Sequence, residues 1–133
     1  MAPTIFSRIV AGDIPSYRIA ENDDYYAFLD IQPLVRGHTL VIPKKETDYI
    51  FDLDDAALGG LMIFAKGIAR AMKKVLPCKR IGTTVIGLEV PHAHIHLIPI
   101  FGVGDMDFNK PKLSFSPIEM EATAQKIRAA LDE

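Results

Sequence analysis

One stretch of this chain repeats its apolar residues at helical spacing over several turns. Leu58, Leu61, Met62, Ala65, Ile68, Ala69, Met72, Val75 and Leu76 recur every third or fourth position, the period of an α-helix with one apolar stripe. Asp52, Asp54 and Asp55 suit its positive N-terminal end, Lys73 and Lys74 suit its negative C-terminal end, and Pro77 stops it. Around it the pattern is β-like. Tyr17 to Glu21 and Tyr25 to Leu29 flank Asn22-Asp23-Asp24 and predict a hairpin. His38 to Ile42, ending at Pro43, reads as a buried strand, and Arg80 to Ile86 and His94 to Ile100 read as two more. Thr4 to Val10 predicts a short helical turn with Ile5, Phe6 and Ile9 on one side, followed by a turn at Ala11-Gly12-Asp13-Ile14-Pro15. Ile31 to Gly37 and Gly102 to Lys112 read as loops. Ser116-Pro117-Ile118-Glu119 opens a terminal helix, with serine as cap, proline in the first turn and glutamate three residues on. Strands, helix, strands, helix is the order of an α+β fold: an antiparallel sheet with one long central helix and a C-terminal helix.

The bulk composition narrows what such a fold can do. With 133 residues, 49% of them hydrophobic and 24% charged, the chain suits one domain over residues 1–133 with a substantial core. Fifteen basic against seventeen acidic side chains leave a net charge of −2. No basic excess exists to neutralise a nucleic-acid polymer, whereas a small phosphorylated molecule needs only local positive groups. Cys78 is the one cysteine, so no intramolecular disulfide forms. The segment from Met1 to Arg8 lacks the apolar core of a secretory signal, and the apolar run from Leu58 to Met72 is broken by Gly59, Gly60, Lys66, Gly67 and Arg70. The expectation is a cytoplasmic protein with no membrane partner.

Three of the four histidines alternate, at His92, His94 and His96. Alternate residues of a strand share a face, so His94 and His96 do, and His92 joins them if the strand extends back past Pro91. Three readings follow. The row is a hydrogen-bonded polar face without chemistry, although the apolar Ile95, Leu97, Ile98 and Ile100 around it argue against idle histidines. Or it ligates a metal, although Cα atoms of residues 92 and 96 stand roughly 13 Å apart on an extended strand, so a third ligand such as His38 is needed. Or it performs nucleophilic and acid–base chemistry at phosphorus, a neutral ring attacking while neighbours balance charge or move protons.

His92-Ala93-His94-Ile95-His96-Leu97-Ile98 matches in full the His-φ-His-φ-His-φ-φ pattern (φ apolar) of the histidine triad (HIT) superfamily. Phe28-Leu29-Asp30-Ile31-Gln32-Pro33, Gly37-His38-Thr39-Leu40-Val41-Ile42-Pro43-Lys44 and the early Ile5-Phe6-Ser7-Arg8-Ile9-Val10 are similar to further family blocks, in family order. The resemblance implies a nucleotide-binding hydrolase or nucleotidyl transferase that attacks the α-phosphate of a phosphoramidate or dinucleoside polyphosphate through a nucleotidyl-histidine. It implies His94 as nucleophile, with His92, His96 and His38 orienting it, contacting phosphate oxygens or managing protons. It implies an apolar slot for the base from Ile5, Phe6, Ile9, Phe28, Ile31 and Leu40, ribose recognition by Asp30, and a homodimer. Coupled imidazoles titrate as a set, so the row is expected to hold neutral and charged rings near neutral pH, with His92 or His96 charged.

Two departures carry expectations of their own. Before the triad many members hold Gly-Gln-Ser/Thr-Val; here stand Gly87-Leu88-Glu89-Val90. Leu88 and Glu89 replace polar groups that contact phosphate or leaving group, and Glu89 sets a carboxylate beside an anionic substrate. This keeps a nucleotide-binding regulatory protein with little turnover as the alternative. Some relatives also carry a Cys-x-x-Cys pair at the first helix and a histidine after Pro-Lys-Lys. Thr4, Ser7 and Glu46 occupy those positions here, so no structural metal and no cofactor are expected.

Overall fold

The structure is a computed structural model that describes residues 3–131. Its elements are α1 (Ile5–Val10), β1 (Arg18–Glu21), β2 (Tyr25–Leu29), β3 (Thr39–Pro43), α2 (Asp55–Val75), β4 (Arg80–Thr84), β5 (Ile95–Ile100) and α3 (Pro117–Ala130), with single 3-10 turns at Ile50–Asp52 and Val103–Met106. The five strands form one antiparallel sheet in the order β1-β2-β3-β5-β4. The fold is α+β, and the elements lie where the sequence patterns put them. The chief differences are at ends: β4 stops at Thr84 rather than Ile86, and β5 begins at Ile95, after His94.

Local chemistry accounts for the boundaries. The β1–β2 hairpin turns on Asn22, whose Oδ1 accepts from the amides of Asp24 and Tyr25 at 2.9 and 2.8 Å. Asp54 caps α2 by accepting from the Ala57 amide at 2.7 Å. Ser116 and Glu119 form the reciprocal capping box that opens α3. Gly37 has φ +91°, a conformation that side chains disfavour, and a Cβ there would also strike Leu76. It brings the chain into β3 with His38 at the strand's mouth.

Both faces of the sheet are covered. On one, α2 presents Leu61, Ala65, Ile68 and Met72, and α3 presents Ala124 and Ile127, to Ala27, Leu29, Val41, Ile95 and Leu97. On the other, α1 lays Phe6 and Ile9 on Tyr26, Phe28, Leu40 and Ile42. This double coverage explains why β2 and β3 are buried at every position and read as continuous apolar runs. The register fixes the functional face: His96 is opposite Leu40, and Leu40 is opposite Phe28. Directly opposed residues share a face, so the histidines emerge on the side of α1, away from the long helix. The far edge, β4, is unpaired, and Met62, Val85 and Ile86, which line one cavity just beyond its end, are exposed, as is Ile63 on α2. Met62 thus leaves the buried stripe of α2. No helix among the described residues is long and apolar enough to cross a membrane.

Candidate active site

The four histidines are all buried, yet their ring nitrogens are used in different ways. His38 sets the pattern. The Leu34 amide donates to His38 Nδ1 at 3.1 Å, so the neutral ring carries its proton on Nε2. That proton points at His96 Nδ1, 2.9 Å away, which leaves the proton of neutral His96 on its own Nε2, facing outward. Burial, seconded by positive charge at His96 and Lys112, pushes the His38 pKa down to about 3. Burial likewise lowers His96 to about 4, helped by His94 and Lys112. Both rings are neutral at pH 7.

His94 has the opposite polarity. Its Nδ1 lies 2.8 Å from the carbonyl oxygen of His92. A carbonyl only accepts, so Nδ1 carries the proton, and in the neutral ring Nε2 bears an in-plane lone pair with no hydrogen-bond partner among the described residues. The Phe6 ring meets His94 edge-on at 5.0 Å, and the His94 and His96 rings are 4.9 Å apart. A ring nitrogen with an unpartnered lone pair and a neighbouring N–H donor therefore lie on adjacent rings.

His92 is fully enclosed and has no nitrogen to spare: Nε2 donates to the Pro43 carbonyl at 2.8 Å, and Nδ1 accepts from the Thr4 hydroxyl at 2.9 Å. Its pKa is lowered by burial, against the opposing pull of the Pro43 carbonyl and Glu46. The expectation that His92 or His96 keeps a positive charge near neutral pH therefore fails, because both rings are too poorly solvated to hold one. His92 can orient; it cannot touch a substrate with its ring.

Asp30 closes β2 and lies close by. Its Oδ1 accepts from the Gln32 amide at 2.9 Å, an Asx turn, while Oδ2 is 3.8 Å from His38 Nε2. Burial raises its pKa, opposed by the Gln32 amide, His94 and Lys112 and reinforced by Glu89. Glu89 and Leu88 are exposed on the segment that enters the triad. Of the six expected slot residues, Phe6, Ile9, Phe28 and Leu40 come together in one cluster, whereas Ile5 and Ile31 are 50% and 68% exposed and stand outside it. Tyr26 and Ile42 join the cluster unannounced; the period-2 alternation from Phe28 and Leu40 was the signal that pointed to them. Phe108 and Lys112 were also missed. The Phe108 ring lies edge-on to His96 at 4.9 Å and to His38 at 6.1 Å. Lys112 Nζ donates to the Phe108 carbonyl at 2.7 Å, and the Leu113 amide ties this loop to the Pro33 carbonyl at 2.8 Å. No local pattern in 102–112 marks these contacts.

An antiparallel five-stranded sheet with this histidine row at its centre defines a class, and comparison with known proteins agrees. The HIT domain family matches residues 11–103. The adenosine 5'-monophosphoramidase of Saccharomyces cerevisiae is 40% identical over 99 residues, covering 74% of this chain and 63% of that protein. A Hit-like protein of Bartonella henselae has 35% identity and a TM-score of 0.83, over 96% of this chain and 95% of its own. A zinc-bound histidine triad protein of Mycobacterium smegmatis has 31% identity and a TM-score of 0.79, over 96% and 92%. The chain belongs to the HIT family.

The zinc-bound relative raises the question of a metal here. Where some relatives carry cysteines, Thr4 and Ser7 meet Glu46: the Thr4 amide and Ser7 hydroxyl donate to Glu46 Oε1 at 2.7 and 2.9 Å. The Thr4 hydroxyl is committed to His92. Neutral hydroxyls are poor zinc donors, and this set satisfies itself, so it does not fit the ion. Asp30, His38 and His96 also bring ligand atoms within 4.8 Å of one another. There the Leu34 amide forces the His38 proton onto Nε2, the very atom a cation would need. A metal would require an imidazolate, so the geometry is that of a hydrogen-bonded chain.

Proposed function

We propose that this chain is a nucleotide-conjugate hydrolase or nucleotidyl transferase, with an adenosine phosphoramidate-type substrate as the first choice. The observation that carries the reading is the unpartnered lone pair of His94 Nε2 beside the outward N–H of His96. In the first step Nε2 attacks the α-phosphorus. The bond from phosphorus to the leaving nitrogen or oxygen breaks, and the leaving group departs with a proton from solvent. The ring becomes a nucleotidyl-histidine whose positive charge is met by the His92 carbonyl on Nδ1–H. His96 Nε2–H donates to a phosphate oxygen, with His38 holding the ring in that tautomer. Water then adds at phosphorus and gives up a proton to solvent, the P–N bond breaks with its electron pair returning to nitrogen, and neutral His94 returns. Asp30 accepts from the ribose hydroxyls. Phe6, Ile9, Phe28 and Leu40 wall the base, with Ile5 and Ile31 at its open margin. The relationship to the yeast monophosphoramidase supports this choice of substrate.

The same reading makes the protein a single-domain cytoplasmic homodimer joined through the unpaired β4 edge and the exposed Met62, Ile63, Val85 and Ile86. Leu88 and Glu89, exposed where phosphate-contacting groups are usual in the family, favour as second reading a nucleotide-binding regulator with little turnover. Chromatographic assay of adenosine phosphoramidate hydrolysis separates the two. His94→Ala is expected to abolish turnover and trapping of radiolabelled nucleotide while leaving nucleotide binding largely intact. Near wild-type turnover in that variant, or label on another residue, overturns the assignment.

A further inference from the structure

Helix α1 has only six residues, too few for a helix to hold itself in water. Yet it carries Phe6, whose ring packs edge-on against both His94 and His92, at 5.0 and 5.8 Å. Something outside the helix must fix it, and the contacts that do so form one connected set. Glu46 Oε1, just beyond β3, accepts from the Thr4 amide at 2.7 Å and the Ser7 hydroxyl at 2.9 Å. Thr4 Oγ1 accepts from the Ser7 amide at 3.0 Å, capping the helix. The Thr4 hydroxyl proton has two possible acceptors, Ser7 Oγ at 3.3 Å and His92 Nδ1 at 2.9 Å. Since His92 Nε2 must donate to the Pro43 carbonyl, Nδ1 of the neutral ring needs a donor, and Thr4 supplies it. The carboxylate end can only accept, being held ionised by the Thr4 amide and Ser7 hydroxyl. The donors therefore all run one way from Thr4 to His92 and on to Pro43, and the His92 carbonyl receives the Nδ1 proton of His94.

We propose that Glu46, Thr4 and Ser7 are a hydrogen-bonded anchor, standing where some relatives hold a metal, that locks the His92 ring between α1 and β3 and thereby holds the His92 main-chain carbonyl where it fixes the tautomer and aim of His94. Thr4 and Glu46 are positioning residues: neither touches substrate, and both act through His92. The inference rests on the nucleophilic reading of His94 for its kinetic consequence, but its structural claim stands apart from it.

Thr4→Val keeps the shape and removes the hydroxyl, leaving His92 Nδ1 without a donor. The expected result is a fall in kcat of about tenfold or more, with KM and the affinity for AMP within about twofold. Thr4→Ser is expected to restore kcat to within about twofold of the natural protein, because it keeps the donor. Glu46→Ala is expected to lower kcat in the same direction, and Glu46→Gln, which retains an acceptor, to lower it less. Thermal melts of each variant report whether the fold survives. Ring 15N NMR supplies a readout independent of turnover: in the natural protein His92 is expected to show a single Nε2–H tautomer, and the neutral form of His94 a single Nδ1–H tautomer. In Thr4→Val the His94 signal is expected to move toward a mixture of tautomers. Unchanged His94 tautomer and kcat in Thr4→Val refute the anchor, as does an equal loss of kcat and AMP affinity. If the natural protein turns over no nucleotide conjugate, the functional reading fails, and the NMR comparison still decides the anchor.

Discussion

Acidification from pH 7 to pH 5 is expected to remove about 4 kcal/mol of folding stability through two rings, His38 and His96. Both have an ordinary value of 6.5, and burial lowers them in the fold to about 3 and about 4. The folded chain therefore refuses protons that the unfolded chain takes up below 6.5. Stability contributed by the neutral rings is complete above that value and is lost as pH falls toward the folded values. By pH 5 each ring costs about 2 kcal/mol relative to pH 7, a large part of the 5–15 kcal/mol typical of a domain. His92, also lowered, acts in the same direction. The carboxylates held low by their partners, Glu21, Glu46, Asp105 and Glu119, lose their contributions only as they protonate further toward acid. Urea melts at half-unit pH steps measure the slope. His38→Asn, whose Oδ1 can still accept from the Leu34 amide, is expected to cut the loss to about half. Stability flat between pH 7 and pH 5, or an unchanged slope in the variant, refutes the neutral assignment of the two rings.

Asp30→Asn is expected to weaken ribonucleotide binding more than binding of the 2′-deoxy analogue, measured by calorimetry; equal loss for both removes the ribose role. Protein purified without added metal is expected to carry no stoichiometric zinc by elemental analysis, because Thr4, Ser7 and Glu46 satisfy one another. Light scattering at micromolar concentration is expected to give a dimer, and Met62→Asp, which sets a charge beside the exposed Val85 and Ile86, to give a monomer. A monomeric natural protein counts against the paired edge.

What was legible in the sequence was local. The Asn22 hairpin, the Asp54 cap and the Ser116–Glu119 box each depend on residues within three or four positions. The alternation of His94 and His96 with Ile95 and Leu97 told which face is polar, and the match of Asp30 and His38 to family blocks brought both to the row. What was hidden was long-range. The histidines look equivalent in sequence, yet Thr4 on His92 is 88 residues away and His38 on His96 is 58 away. Those partners decide which nitrogen holds a proton. Phe108 and Lys112 sit in a loop without periodicity, and the tie from Leu113 to Pro33 and the Phe108 ring contacts with His38 and His96, all distant in sequence, hold that loop over His96. Ile5 reads as part of the apolar side of α1, but the helix is too short to bury more than Phe6 and Ile9.

The polarity of the His38–His96 chain begins at a main-chain group, the amide of Leu34. Side-chain replacement at position 34 changes packing but leaves that donor in place. Only proline, which has no N–H, erases it. The proton positions of His38 and His96 are thus shielded from almost every single change of residue at the position where they originate. Divergence of the loop can proceed around it, provided the backbone holds its course.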